Sequence, residues 1–131
     1  MHRILVTGSS GTIGTALCEA LIKSGYDVVG VDRRKNIWSP AVQKRTVMLD
    51  LLKPAQFKKL PAHLDMVIHL AAHARVYNLV KEPRLALENI ETAYNVLEWA
   101  RTRPVPRFLF ASSREIYGNT PQKNLCEDDV M

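Results

Sequence analysis

The sequence predicts a doubly wound α/β fold, with a mainly parallel sheet between two layers of helices. Three observations carry that expectation. Short β-branched runs alternate along the chain with longer stretches of helical period. The first run passes into a helix through a glycine-rich turn, Gly8-Ser9-Ser10-Gly11-Thr12-Ile13-Gly14. The content of 47% hydrophobic and 24% charged residues over 131 positions is ordinary for a globular chain and suits one domain, residues 1–131, around one core.

Arg3–Thr7 (RILVT) reads as strand one. After the turn, Ile13, Leu17, Ala20 and Leu21 mark the stripe that a first helix would bury. Lys23 and Gly25 supply its stop, because glycine takes the left-handed conformation without a Cβ clash. Asp27–Asp32 is strand two, and residues 33–45 have no convincing period, so a loop is expected there. Residues 46–49 read as a short third strand, 54–60 as a brief helix and 65–70 as strand four. The longest helix is expected from residue 82 or 83 to 103, with Leu87, Ile90, Tyr94 and Leu97 at helical spacing. Pro83 suits its first turn, and Pro104 ends it by disfavouring helix in the preceding residue. Residues 107–111 (RFLFA) are strand five. Right-handed crossovers then favour the strand order 3-2-1-4-5, with a ligand crevice where strands one and four diverge at their carboxyl ends.

No apolar run approaches the ~18 residues that span a bilayer, so no membrane association is expected. Met1-His2-Arg3 leads straight into a strand without a leader-like apolar stretch, so the cytoplasm is the expected compartment. Cys18 and Cys126 form neither a metal-type pair nor a redox motif; unpaired thiols and no metal site are expected. The net charge of +5 comes from scattered basic residues without interleaved aromatics. Nucleic acid is therefore not an expected partner, whereas a phosphate-bearing small ligand suits the charge equally well.

The glycine-rich turn has the context that such a pattern needs, a strand before it and a helix after it. The backbone must turn sharply at Gly8, approach phosphate oxygens near Gly11 and let helix pack on strand at Gly14. Unpaired N–H groups and the positive dipole end of the helix then suit a pyrophosphate. Asp32 ends strand two at about the 20-residue distance where an acid accepts bonds from a ribose diol. Its charge repels a 2′-phosphate and favours NAD over NADP, although Arg33 beside it could pair with that phosphate or stack on adenine.

These residues resemble a known family. Thr7-Gly8-x-x-Gly11-x-x-Gly14 is similar to the extended short-chain dehydrogenase/reductases, specifically the NAD-dependent epimerases and dehydratases of nucleotide sugars, of the UDP-glucose 4-epimerase kind. Asp50-Leu51, His69-Leu70-Ala71-Ala72, residues 89–98 (NIETAYNVLE), Phe110-Ala111-Ser112-Ser113 and Ile116-Tyr117-Gly118 resemble further family segments in the right order. Thr92-Ala93 stands where the family has Gly-Thr. The resemblance implies a Rossmann-type domain that is the N-terminal half of a longer protein, truncated before the remaining strands and the substrate domain. It implies contacts with NAD at Gly8, Ser10, Gly11, Thr12, Ile13, Gly14, Asp32, Arg33, Asp50, Leu51, Leu70, Ala71, Ala72, Asn89, Ala111 and Ser112.

In the family a tyrosinate from a Tyr-x-x-x-Lys motif removes a sugar hydroxyl proton while hydride passes to NAD, and a serine hydroxyl bonds the reacting oxygen. By position Ser113 resembles that serine, and the alternative for it is a strand-end serine bonded to backbone. The expected Tyr-x-x-x-Lys lies beyond strand five and is absent up to Met131. Tyr77-Asn78-Leu79-Val80-Lys81 matches the pattern but precedes strand five, so coincidence is the better account; Tyr117 has Pro121 where its lysine would be. His69 reads as a hydrogen-bonded structural histidine, His73 is open in the same way, and Asn89 suits either a bond to the loop after strand four or cofactor contact. The implied function is 4-epimerisation of a nucleotide sugar, with dehydration of such a sugar or a non-catalytic NAD-binding module as alternatives. Strand five is expected as an apolar edge that invites self-association, so homo-oligomers are expected.

Overall fold

The computed structural model describes residues 2–119 and 124–128, without the Arg114 side chain. Five parallel strands form one sheet: β1 (Arg3–Thr7), β2 (Asp27–Asp32), β3 (Thr46–Met48), β4 (Met66–His69) and β5 (Phe108–Phe110). Their spatial order is 3-2-1-4-5, as the sequence predicts. β1 sits centrally, with Val6 opposite Gly30 of β2 and Ile68 of β4.

Both faces of the sheet are covered, which is why the central strands read as nearly continuous apolar runs. Successive side chains of β1 point to opposite faces. Ile4 and Val6 pack with Val28, Ile68 and Cys18 on one side. Leu5 packs with Val31, Val67, Phe57, Val96 and Trp99 on the other. Burial pushes the Cys18 thiol up to about 11.

Helix α1 (Thr12–Lys23) ends as foreseen. Gly25 has φ 84°, and the amides of Gly25 and Tyr26 donate to the carbonyls of Ile22 and Leu21, the paired bonds of a Schellman stop. Half of the expected stripe meets the core, since Leu17 and Leu21 pack against it, but the most buried face is offset. Gly14, Thr15 and Cys18 are buried, whereas Ile13 is 72% exposed and Ala20 is exposed. Contact of Gly14 with Gly8 sets the helix rotation, and that contact is invisible to hydrophobic spacing.

The expected 33–45 loop contains a short helix, α2 (Pro40–Gln43), in which the Ser39 hydroxyl accepts from the Val42 amide and Pro40 opens the first turn. Ser-Pro was a readable start signal there. Residues 54–59 form a 3₁₀ turn, and α3 (Val76–Lys81) precedes α4 (Arg84–Thr102). The expected α4 stripe proves to face outward: Leu87, Ile90, Tyr94 and Leu97 are each at least half exposed. Val96, Trp99 and Ala100 are the residues that meet the core. The helix carries two apolar faces, and periodicity alone does not say which one the sheet covers.

Candidate functional site

The carboxyl ends of β1, β2 and β4 open into a solvent-continuous cleft of about 160 Å³, where doubly wound sheets hold ligands. Of the residues singled out from sequence, Gly8, Gly11, Asp32, Arg33, Asp50, Leu51, Leu70, Ala71, Ala72 and Asn89 line it. Sequence reasoning missed Arg34, Glu88 and Thr92, which line it too. Thr92 carried a signal, since it stands where the resembled family has glycine and it lines the cleft.

The glycines of the turn have different jobs. Gly8 has φ 73°, and a Cβ there would lie 2.9 Å from the Ala71 nitrogen. A Cβ on Gly14 would lie 2.0 Å from the Gly8 carbonyl oxygen, so no side chain fits between helix and turn. Gly11, with φ −80°, needs no special backbone. Its Cβ would meet only the Gly8 oxygen, at 3.3 Å, and Gly11 lines the cleft. Gly8 and Gly14 therefore shape the turn, while Gly11 keeps space open above it.

The first bond of α1 runs from the Thr15 amide to the Gly11 carbonyl, 2.9 Å. The amides of Thr12, Ile13 and Gly14 precede it, as the first N–H groups of any helix must. No acidic residue lies in that first turn to compete for them. Ser10 ties the turn to the loop after β2. Its amide donates to Asp32 Oδ2 at 3.0 Å and its hydroxyl to the Arg34 carbonyl at 2.9 Å, so both groups serve the turn itself. The Arg34 amide donates to Asp32 Oδ1 at 2.9 Å. Each carboxylate oxygen thus spends one lone pair on an amide and keeps another for a ligand.

Beneath the cleft lies a buried hydroxyl–imidazole pair. The amides of Leu70 and Ala71 both donate to Thr7 Oγ1, at 3.1 Å each, which occupies its two lone pairs. The Thr7 proton is then directed to His69 Nδ1, 2.9 Å away, so His69 is held neutral with its proton on Nε2. Burial pushes the imidazole down to about 4, and the ring stacks on Phe110 with centroids 6.0 Å apart. His69 is the structural histidine the sequence predicts; it accepts the Thr7 proton, and Thr7 Oγ1 fixes the Leu70–Ala71 backbone.

On the opposite wall, Asn89 Oδ1 accepts from the His73 amide at 2.8 Å and Asn89 Nδ2 donates to the His73 carbonyl at 3.2 Å. Asn89 therefore grips the loop after β4 and lines the cleft as well. His73 Nε2 lies 3.0 Å from Glu88 Oε2, with both side chains mostly shielded. Asn95 Nδ2 donates to the Leu51 carbonyl at 2.9 Å, so α4 holds the Asp50–Leu51 segment through a residue the sequence reading quoted only as part of a motif.

Other candidates stand apart. Thr12, Ile13 and Gly14 open α1 directly after Gly11 and are not among the residues lining the cleft. Ala111, Ser112 and Ser113 follow β5 and are exposed; Ser113 Oγ accepts from the Glu115 amide at 3.2 Å. Tyr77, 75% exposed on α3, does not line the cleft, and Tyr117 closes a 3₁₀ turn beyond Ser113. Among the described residues no group of three His, Cys, Asp or Glu side chains could hold a metal, and no helix is long and apolar enough to cross a membrane.

Comparison with known proteins fits this geometry. A Bacillus subtilis protein described as an uncharacterized UDP-glucose epimerase, YtcB, is 32% identical over 135 residues, covering 92% of this chain and 43% of that protein. The UDP-glucose-4-epimerase of Stenotrophomonas maltophila, solved with bound NAD and formylated UDP-arabinopyranose, superposes with a TM-score of 0.85 at 28% identity, over 98% of this chain and 42% of that one. An NAD dependent-NDP-hexosamine 5,6-dehydratase, TunA, gives a TM-score of 0.82 at 29% identity, again over 98% and 42%. The chain thus spans about two fifths of the length of these relatives. The profile of one family matches residues 4–130, and with the glycine turn, the strand order and the cleft at the switch point in agreement, the chain belongs to the NAD dependent epimerase/dehydratase family.

Proposed function

We infer that this chain forms the NAD-binding region of an enzyme acting on nucleotide sugars, with 4-epimerisation as the favoured reaction. The observation that carries the reading is the cleft at the β1–β4 switch point, where Gly11 leaves room above the start of α1 and Asp32 waits one strand away. NAD fits the residues present. The Thr12, Ile13 and Gly14 amides suit its pyrophosphate, and the spare lone pairs of Asp32 suit a ribose diol. The apolar backbone segment Leu70–Ala72 suits the flat rings. When bound, NAD supplies a reversible hydride acceptor.

The chain's own residues then bind and orient. Asp32 repels a 2′-phosphate, which selects NAD over NADP. Asn89 and His73 keep the wall after β4 in place. Ser113 sits at the β5 end with its oxygen accepting a local amide, so its hydroxyl proton stays available to a sugar oxygen. The likeness to TunA keeps dehydration as a second reading. Against it stands the single acid, Glu115, near the strand-five serine rather than a pair.

Calorimetric titration with NAD and NADP tests the proposal. NAD is expected to bind at least tenfold tighter, and Gly11→Val to abolish that binding while leaving the melting temperature within a few degrees. Equal or tighter binding of NADP would reverse the role of Asp32. Undiminished NAD binding by Gly11→Val would remove the cleft from the reading.

A further inference from the structure

The loop after β2 carries Arg33 and Arg34, which line the cleft, and Ile37 and Trp38, which are 80% and 71% exposed. Between these outward-facing pairs Asn36 is only 6% exposed. Its side chain is saturated. Nδ2 donates to the Ser9 carbonyl at 2.9 Å and to Thr15 Oγ1 at 2.8 Å. Oδ1 accepts from the amides of Trp38 at 3.0 Å and Ser39 at 2.9 Å. An amide offers two protons and two lone pairs, and all four are used in a buried setting where each unmade bond is costly.

Asn36 does not line the cleft, yet the segments it joins do. Ser9 and Thr15 flank the phosphate turn, and the loop touches that turn a second time through Ser10, which bonds the Arg34 carbonyl and Asp32 Oδ2. Asp32 in turn accepts from the Arg34 amide. A shift of the loop is therefore transmitted to both carboxylate oxygens. Such a saturated network is stiff while complete and fails as a unit when one member is lost.

We propose that Asn36 is a positioning residue for the adenosine end of the cleft: by locking the loop to Ser9 and Thr15, it fixes how Asp32 presents its free lone pairs to the ribose and how closely the Arg33–Arg34 backbone closes over it. The inference rests on the reading that the cleft holds NAD. It predicts that Asn36 controls affinity and NAD-over-NADP selectivity without touching the ligand, and that it does so through Asp32.

Asn36→Asp is the informative variant. It keeps the shape and the acceptor for Trp38 and Ser39, but it removes both donors and sets an anionic oxygen against the Ser9 carbonyl. Affinities for NAD and NADP are measured by calorimetry for the wild type, Asn36→Asp, Asp32→Ala and the double variant. The expected result is a loss of tenfold or more in NAD affinity, a smaller NAD-to-NADP ratio, and almost no further loss when Asp32 is already alanine. Thr15→Val, which removes one tie from the turn side, is expected to weaken NAD binding about threefold with the same dependence on Asp32; it decides the matter if Asn36→Asp does not fold. Wild-type affinity in Asn36→Asp, or losses that add fully to that of Asp32→Ala, overturns the positioning role. Absence of NAD binding by the wild type overturns the reading of the cleft, and the inference with it.

Discussion

The two flanks of the central strand are finished to different degrees. On the β2 side, polar groups hold the turn, α1 and the loop to α2 together: Ser9, Asn36 and Ser39 are buried with their bonds made, while fewer large apolar side chains, Ile13, Ile37 and Trp38 among them, are exposed. On the β4 side, large apolar side chains face outward. Val76, Tyr77 and Val80 of α3, Leu87, Ile90, Tyr94 and Leu97 of α4, and Leu109 and Phe110 at β5 are all well exposed. Polar groups can be satisfied one bond at a time within a short stretch of chain, whereas an apolar face is satisfied only by area, which needs another surface. The flank that carries the glycine turn and Asp32 is self-sufficient in its polar bonds, and the flank of α3, α4 and β5 offers surface for further contacts.

The sharpest way to break the self-sufficient flank is Gly14→Ala. With 2.0 Å between the new Cβ and the Gly8 oxygen, helix and turn must separate. A loss of about 3 kcal/mol or more is expected on thermal or urea melting. A near-normal melt would mean that the turn yields easily and the flank is softer than its bonding implies.

His69, at the boundary between the flanks, offers a pH test of comparable size. Its folded-state pKa is depressed from 6.5 to about 4, so the proton prefers the unfolded chain. Stability from this group is complete above pH 6.5 and declines as pH falls toward 4, by up to about 3 kcal/mol. Urea midpoints measured across that window should fall with pH in the wild type and stay flatter in His69→Gln. Parallel curves for the two would show that the Thr7–His69 pair does not carry the effect.

The smallest effect is expected on the open flank. Ile90→Glu, at a position 67% exposed, should change stability by less than about 0.5 kcal/mol and lower the apparent mass by light scattering at high concentration. Val96→Ala on the same helix, 2% exposed, should cost about 2 kcal/mol. If Ile90→Glu unfolds the protein, or the wild type is strictly monomeric, the contrast between the flanks loses its meaning.

Much of this was legible. Alternation of strand and helix patterns yielded the strand order, and Gly8, Gly11, Asp32, Asp50-Leu51 and Leu70-Ala71-Ala72 marked about half of the cleft wall. What escaped were residues whose partners are distant in sequence or whose type is unremarkable for a loop. Asn36 looked like one more polar loop residue, the bonds of Ser10 to Asp32 and Arg34 had no sequence signal, and Asn95 gave no hint that it holds the Leu51 carbonyl.

By itself the sequence determined the elements, their order and the chemistry at their ends, because periodicity, glycine placement and strand-end acids are local properties fixed by backbone sterics. The tertiary structure alone decided which of two apolar faces of α4 meets the sheet, which groups bond the Asp32 carboxylate, and which way the proton between Thr7 and His69 points. Those outcomes depend on what lies across the gap, since burial and hydrogen-bond direction belong to pairs of groups and not to single residues.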